Sequence, residues 1–511
     1  MKDSTAGSQS SPVKVLFICK GEYYGFMPQL AEALARDYGW RPSVVTFATP
    51  TSELPQLRIF ERIYNVAAHL KRDALRHDLE DCIQYLETLE PHLCDANFNL
   101  MVHSDRIIRK YPFERILKII ASVCRFWDEL FTESAPDIII GEVACASEWI
   151  GWCFAEQRKI PYLIPYPSPL PGRFTFIRSP GGMWETTEAV YEQAKERRLQ
   201  PEERRVAEEY ILRFRTQHVK APHHLAVARP PAKLDKIAFE RIVKRLGRIP
   251  FRLRTYREDG WFEVGSYNGT PPWDSLIFDA LSIIRHFIGE HAIFDRELLP
   301  GHKVYFPLHV QPEFTPDIRA PFCSNQLALI ENIARSIPAG YRLVVKDHPA
   351  MRGRRTLPYY RELKKLPNVQ LLSPGFDSHV IIQNSDAIFT IVGTTAFEAI
   401  LYEKPAIAFG DLVYGFFDLL YRCRDLAQLP ALMREALQGF TPDRELLLKF
   451  VWATIETAHI GEWADPLAIS RVAESPNVRS VAEAIVHELE IGSREHFAPS
   501  IVEQAPRYPV L

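Results

Sequence analysis

Short apolar runs and longer stretches with a three-to-four-residue apolar period alternate along much of this chain. VKVLFICK at 13–20 is an apolar run of strand length, GEYYGFMPQLAEALARDYG a glycine-bearing loop and an amphipathic helix, and RPSVVTFA a second strand. Strand, loop, helix, strand is the opening of a parallel sheet. From Ser52 to about Leu130 the pattern reads as mostly helical, longer than one crossover needs, and predicts an inserted helical lobe. Strand character returns at PDIIIGE, 136–142, followed by a helix and IPYLIPYPSP. A mixed proline- and glycine-rich stretch, PLPGRFTFIRSPGGMW, ends this half.

The second half alternates more regularly: KVYFPLHV, NQLALIENIARSIP, YRLVVKD, PYYRELKKLP, VQLLS, SHVIIQNS, AIFTIV, TTAFEAILYE and PAIAFG. Strand and helix exchange with short connections from about Lys303 to Gly410, as in a doubly wound parallel sheet. The expected fold is α/β, two Rossmann-like domains facing a cleft, with the helical insertion in the first. The expected divisions are a disordered leader (1–11), a first α/β domain with the helical insertion (12–260), a second, ligand-binding α/β domain (261–440) and a helical segment and tail (441–511). Ligands in such folds bind beyond the carboxyl ends of the strands.

The 511 residues suit two domains, and 47% apolar with 24% charged residues is the balance of a water-soluble globular protein. A formal charge of −3 argues against wholesale nucleic-acid binding. Cys19, Cys82, Cys94, Cys124, Cys145, Cys153, Cys323 and Cys423 are scattered without a close pair, as expected of reduced thiols in the cytoplasm. Neither an apolar leader nor a spanning run of about 18 apolar residues occurs in the sequence.

Candidate chemistry concentrates at strand ends. In RLVVKDHPAMRGRR the apolar run stops at Lys346, so Asp347 and His348 sit at the carboxyl edge, Pro349 turns the chain, and Arg352, Arg354 and Arg355 bring positive charge. In AIFTIVGTTAFEAI, Gly393 permits a tight turn, while Thr394 and Thr395 offer hydroxyls beside helix amides. Glu398 suits ribose hydroxyls, although Thr395-x-x-Glu398 is also a capping box that needs no ligand. His309, Gln311 and Glu313 follow another strand, as do Gly21, Glu22 and Gly25 in the first half. Asp259, beside Gly260, and Glu142, just past a strand, are both candidate bases. There is no metal signature: His223 and His224 lack partners at ligand spacing. A P-loop and a serine-nucleophile elbow are also absent.

The set HVQPE (309–313), KDHP (346–349), NVQLLSP (368–374), IVGTTAFEAI (391–400) and EKPAIAFG (403–410) resembles the capsule polysaccharide synthesis family. That family includes bacterial transferases moving Kdo (3-deoxy-D-manno-octulosonic acid) from a CMP-linked donor on a GT-B fold. The resemblance implies that His348, Pro349, Thr394 and Thr395 hold the CMP moiety; with Lys346, Gly393, Glu398 and His309, placed by their strand-end positions, they make up the expected donor site. It implies His348 and an acceptor-side carboxylate as the catalytic groups. Glu258-Asp259-Gly260 resembles the acidic-acidic-Gly motif that holds the base in related sialyltransferases, and this resemblance makes Asp259 the preferred acceptor-side base over Glu142. The implied reaction is transfer without metal or cofactor from a CMP-linked sugar to a surface polysaccharide or glycolipid. The expected location is cytoplasmic, with peripheral contact to the inner membrane or to polysaccharide-assembly proteins. The competing expectations are a nucleotide-sugar epimerase or hydrolase, and a non-catalytic polysaccharide-binding or export component.

Overall fold

Residues 11–20, 23–94, 96–218, 247–266, 269–464 and 469–495 are described by a computed structural model. Residues 1–10 of the expected leader, Gly21, Glu22 and the His223–His224 pair lie outside them. The strands are β1 (Lys14–Ile18), β2 (Arg41–Thr46), β3 (Arg62–Asn65), β4 (Ile138–Ile140), β5 (Tyr162–Pro167), β6 (Arg173–Ile177), β7 (Lys303–Pro307), β8 (Arg342–Lys346), β9 (Val369–Leu372), β10 (Ala387–Thr390), β11 (Ala406–Ala408), β12 (Leu420–Arg422) and β13 (His459–Ile460).

They form two sheets. The first has the order β13-β6-β5-β4-β1-β2-β3, and the second β12-β11-β10-β7-β8-β9. Every pairing in the second sheet is parallel. In the first, β3 to β5 are parallel, and β6 and β13 add antiparallel pairings at one edge. Helices cover both sheets, so inner strands such as KVLFI, III and AIFT are near-continuous apolar runs. This is the expected two-domain, GT-B-like α/β architecture.

The helical insertion lies between β3 and β4, in helices Val66–Asp73, Leu79–Leu89, Phe98–Ser104 and Phe113–Ser134. Asn65, Asp78 and Asn97 cap the first three by accepting from the N–H groups of Ala68, Asp81 and Leu100. Each such cap contributes about 1 kcal/mol. The long helix buries Ile116, Ile119, Ile120, Val123, Trp127 and Leu130, a helical stripe facing the core.

Three strands depart from the sequence reading. β3, RIYN, pairs with β2 inside the stretch expected to be helical; four residues ending in Arg and Asn carry no strand pattern. β6 turns part of the mixed stretch into a strand against β5. The tail, expected to be only helical, carries β13 back to β6. Helix Ser475–Glu495 then packs on helix Met27–Tyr38, and helix Arg444–Thr457 on helices Glu185–Lys195 and Pro201–Gln217. Among the described residues no helix is long and apolar enough to cross a membrane, and all eight cysteines are free thiols.

Candidate functional site

The carboxyl edge of the second sheet gathers the ends of β7, β8 and β10. At the end of β8 the Asp347 carboxylate, fully buried, accepts from Arg355 Nε at 3.1 and 3.2 Å, from the Tyr360 hydroxyl, and from the His348 N–H at 2.7 Å. Arg355 also donates to the His309 carbonyl. A buried carboxylate and guanidinium are tolerated only with such complete pairing. The three arginines of the expected cationic mouth therefore divide: Arg355 is structural, Arg352 is half-buried and Arg354 is exposed. Lys346 is also buried, with its Nζ donating to Ser378 Oγ at 2.9 Å.

His348 caps the short turn Pro349–Met351, its Nδ1 accepting from the Ala350 N–H at 3.2 Å. The proton of the neutral ring is then on Nε2. His309 stands between this turn and the end of β10. Its Nε2 accepts from the Val392 N–H at 3.4 Å and lies 3.2 Å from Thr390 Oγ1. Burial first, then the neighbouring His348 and Arg355 side chains, push the His309 imidazole down to about 3, so it is neutral at physiological pH.

At the end of β10, Thr390 Oγ1 accepts from the Gly393 N–H at 2.9 Å. The Tyr414 hydroxyl donates to the Gly393 carbonyl and accepts from the Phe397 N–H. The helix Thr395–Leu401 starts with Thr394 in a helical conformation and has no side-chain cap. The capping box is thus not formed, and among the described residues the hydroxyls of Thr394 and Thr395 have no hydrogen-bond partner. Both are half-buried, available to a ligand. Glu398 is half-buried, close enough that its charge adds to burial in raising the Tyr210 and Tyr305 phenols.

The carboxyl edge of the first sheet supplies the opposite wall. Lys20 Nζ pairs with the fully buried Glu148 at 2.7 Å. Glu142, just past β4, accepts from the Tyr23 hydroxyl. Burial raises the Glu142 carboxyl, while Lys20, the Tyr23 hydrogen bond and Arg106 pull it down. Arg106 also acts on Glu313 of the second half, whose carboxyl burial pushes up to about 7. One guanidinium thus faces carboxyls from both halves.

Asp259 is placed differently. It is 2% exposed, and its carboxylate accepts from the Thr49 N–H at 2.7 Å, the Thr49 hydroxyl at 2.6 Å and Lys71 Nζ at 2.5 Å. Both carboxylate oxygens are engaged, so Asp259 ties the start of helix Thr49–Ser52 to the insertion. Sequence reasoning missed Lys20, Arg106 and Arg319. Arg106 lies in an irregular link of the insertion, where no periodicity signals a site. Arg319 is 3% exposed and donates to the carbonyls of Pro180, Gly182 and Asp411 at 3.0, 2.8 and 2.8 Å, closing one half onto the other. Its signal was the loop SPGG, whose carbonyls it holds.

The group of ligand type among the described residues is His459, His487 and Glu488. Glu488 is already engaged by Arg178 at 3.2 Å and His459 at 2.9 Å, on the β13 edge of the first sheet. The guanidinium supplies the positive charge there, so the group reads as an edge fastening.

Residues 306–422 match the family described as capsule polysaccharide biosynthesis protein. Protein FixF of Sinorhizobium fredii (strain NBRC 101917 / NGR234) is 31% identical over 162 residues, 30% of this chain and 38% of that protein. The chain therefore spans well under half the length of this curated relative. Among solved structures, the beta Kdo 2,4 transferase of Thermosulfurimonas dismutans KpsC is 13% identical, with a TM-score of 0.37 over 70% of this chain and 93% of that one. The UDP-GlcNAc 2-epimerase of Neisseria meningitidis bound to UDP-GlcNAc is 11% identical, with a TM-score of 0.26 over 93% and 100%. Through residues 306–422, which carry the carboxyl edge of the second sheet, the chain is distantly related to the capsule polysaccharide biosynthesis family.

Proposed function

We propose that the protein is a metal-independent glycosyltransferase moving Kdo or another acidic sugar from a CMP-linked donor to a surface polysaccharide or glycolipid. The observation that supports this reading is the placement of His348, after β8, and the Thr394 and Thr395 hydroxyls, after β10, along one carboxyl edge of the same sheet. Nucleotide and sugar class are taken from the motif resemblance of residues 309–410, within the stretch that matches the capsule polysaccharide biosynthesis family. The reaction belongs in the cytoplasm, where activated sugars are made.

In the proposed step an acceptor hydroxyl attacks the anomeric carbon, and the bond to the phosphate oxygen breaks with its electron pair leaving on CMP. His348 Nε2–H and the two hydroxyls stabilise the charge gathering on that phosphate. The acceptor proton passes to a carboxylate across the cleft. Glu142 suits this role better than Asp259, because Asp259 is shut from solvent and fully hydrogen-bonded. Burial makes Glu142 a stronger base than an exposed carboxylate.

A second reading, epimerase or hydrolase on a nucleotide sugar, is favoured by the raised carboxyls Glu142 and Glu313 facing Arg106 from the two halves. Two such acids can exchange protons with the sugar itself. Incubation with CMP-Kdo and with UDP-GlcNAc, each with and without a Kdo-bearing acceptor glycan, separates the readings. Acceptor-dependent CMP release with a product heavier by one Kdo is the expected result. CMP release without acceptor, or turnover of UDP-GlcNAc alone, would replace it with the second.

A further inference from the structure

Helix Pro272–Ala292 inverts the usual arrangement of a surface helix. Trp273, Ile277, Leu281, Ile283, Ile284 and Phe287 are exposed; Ile283 keeps 71% and Phe287 64% of its surface in solvent. At about 100° per residue, Trp273, Ile277, Ile284 and Phe287 share one face, with Leu281 and Ile283 on its flanks. Asp279, Ser282, Arg285, Gly289 and Glu290 turn the other way and are less exposed. Glu290 accepts from the Ser373 hydroxyl at 2.8 Å, and a Cβ on Gly289 would stand 2.8 Å from the Phe294 ring. A Cβ on Gly353 would stand 1.8 Å from the Ser282 carbonyl.

That last contact fixes the helix against the 349–355 turn that follows His348. At its start, Asp274 acts electrostatically on Lys110 of the first half. The helix therefore borders both halves beside the candidate site. Packed on it is helix Ile249–Glu258, with the Tyr256 ring edge-on to Trp273. That helix and its caps carry Arg248, Arg252, Arg254 and Arg257 against two acids, Glu258 and the buried Asp259. Arg254 and Arg257 are exposed, Arg254 paired with Glu53 and Glu258 at 2.7 Å each.

We infer that this helix docks the protein on an anionic phospholipid bilayer, its apolar face among the acyl chains near the headgroups and the neighbouring arginines against lipid phosphates. A contiguous exposed apolar face marks an interaction surface, and an apolar face bordered by basic residues fits an anionic interface. A second copy of the chain fits less well. A helix of this length presents a face of roughly 30 by 10 Å, well short of the about 800 Å² per partner of a stable dimer. The docking surface stands without the transferase chemistry. That it presents a lipid-linked acceptor to the cleft rests on that reading.

The test is co-sedimentation of the whole chain with phosphatidylglycerol–phosphatidylethanolamine vesicles and, in parallel, with phosphatidylcholine vesicles. The protein should pellet with the anionic vesicles, and Ile283→Glu with Phe287→Glu should lower the bound fraction about tenfold or more. Phe287→Leu should retain binding, Trp273→Ala should weaken it from the other end, and Arg257→Glu should weaken only the anionic arm. Thermal unfolding checks that each variant folds, and CMP binding by the same samples tests the transferase reading separately. The proposal is overturned if the protein stays in the supernatant, or if the double variant pellets like the parent. It is equally overturned if lipid-free protein is a dimer that the double variant dissolves.

Discussion

The His309 ring occupies the space that a side chain at Gly393 would need: a Cβ there would lie 2.9 Å from His309 Nε2 and 3.1 Å from Thr390 Oγ1. The glycine is thus required by close approach, beyond the turn that the sequence suggested. Gly393→Ala should push the imidazole off the Val392 N–H and cost about 1–3 kcal/mol of stability. Chemical denaturation measures the cost. CMP titration should show weaker binding, because the Thr394–Thr395 turn moves with the ring.

His348→Ala should lower transfer by roughly 10²-fold while leaving the fold intact, since the turn it caps is only Pro349–Met351. Thr394→Ala should weaken donor binding with little change in stability, because no side-chain cap is lost. Steady-state kinetics beside thermal unfolding checks both. Full activity in His348→Ala would remove it from the reaction.

Asp259→Asn and Glu142→Gln should separate structure from chemistry. Asp259 pairs with Lys71 and the Thr49 N–H in a buried setting, so its loss should destabilise by about 3 kcal/mol or more. Glu142→Gln should keep CMP affinity and lose most turnover. The converse pattern, a stable but inactive Asp259→Asn, would return the base to Asp259.

Glu313 gives the pH dependence. Its folded-state carboxyl is pushed up to about 7 by burial, above the ordinary carboxylate value of the unfolded chain. The folded state therefore holds its proton more tightly, so this contribution to stability is complete at low pH and is lost as pH rises through about 7. Unfolding temperature should fall between pH 5 and pH 8, and Glu313→Gln should flatten that slope. An unchanged slope would mean that Glu313 titrates normally.

The parallel sheets were legible because buried strands such as LVV and AIFTIV must be unbroken apolar runs. Strand ends followed directly, so His348, Thr394 and Glu142 could be named from position alone. Asp259 shows the limit: acidic pairs beside glycine look alike whether they face a cleft or bind a lysine 188 positions earlier, as Lys71 does. Long-range partners leave no local pattern, which is also why Arg106 and Arg319 went unseen. The inverted helix Pro272–Ala292 has ordinary amphipathic spacing, and only its packing tells which face is outward.

The return of β13 to β6 makes the molecule a nested chain. The second sheet is an insert between two parts of the first, joined to it by two passages of backbone. Such a hinge has two strands, so the halves can tilt toward each other but swivel only with strain on the second passage. Synthesis is constrained as well. The edge of the first sheet stays open, with Phe174 and Phe176 uncovered by His459, until residues 459–460 have left the ribosome. A chain cut before residue 459 would therefore expose the first sheet, although the cut lies beyond every residue of the second.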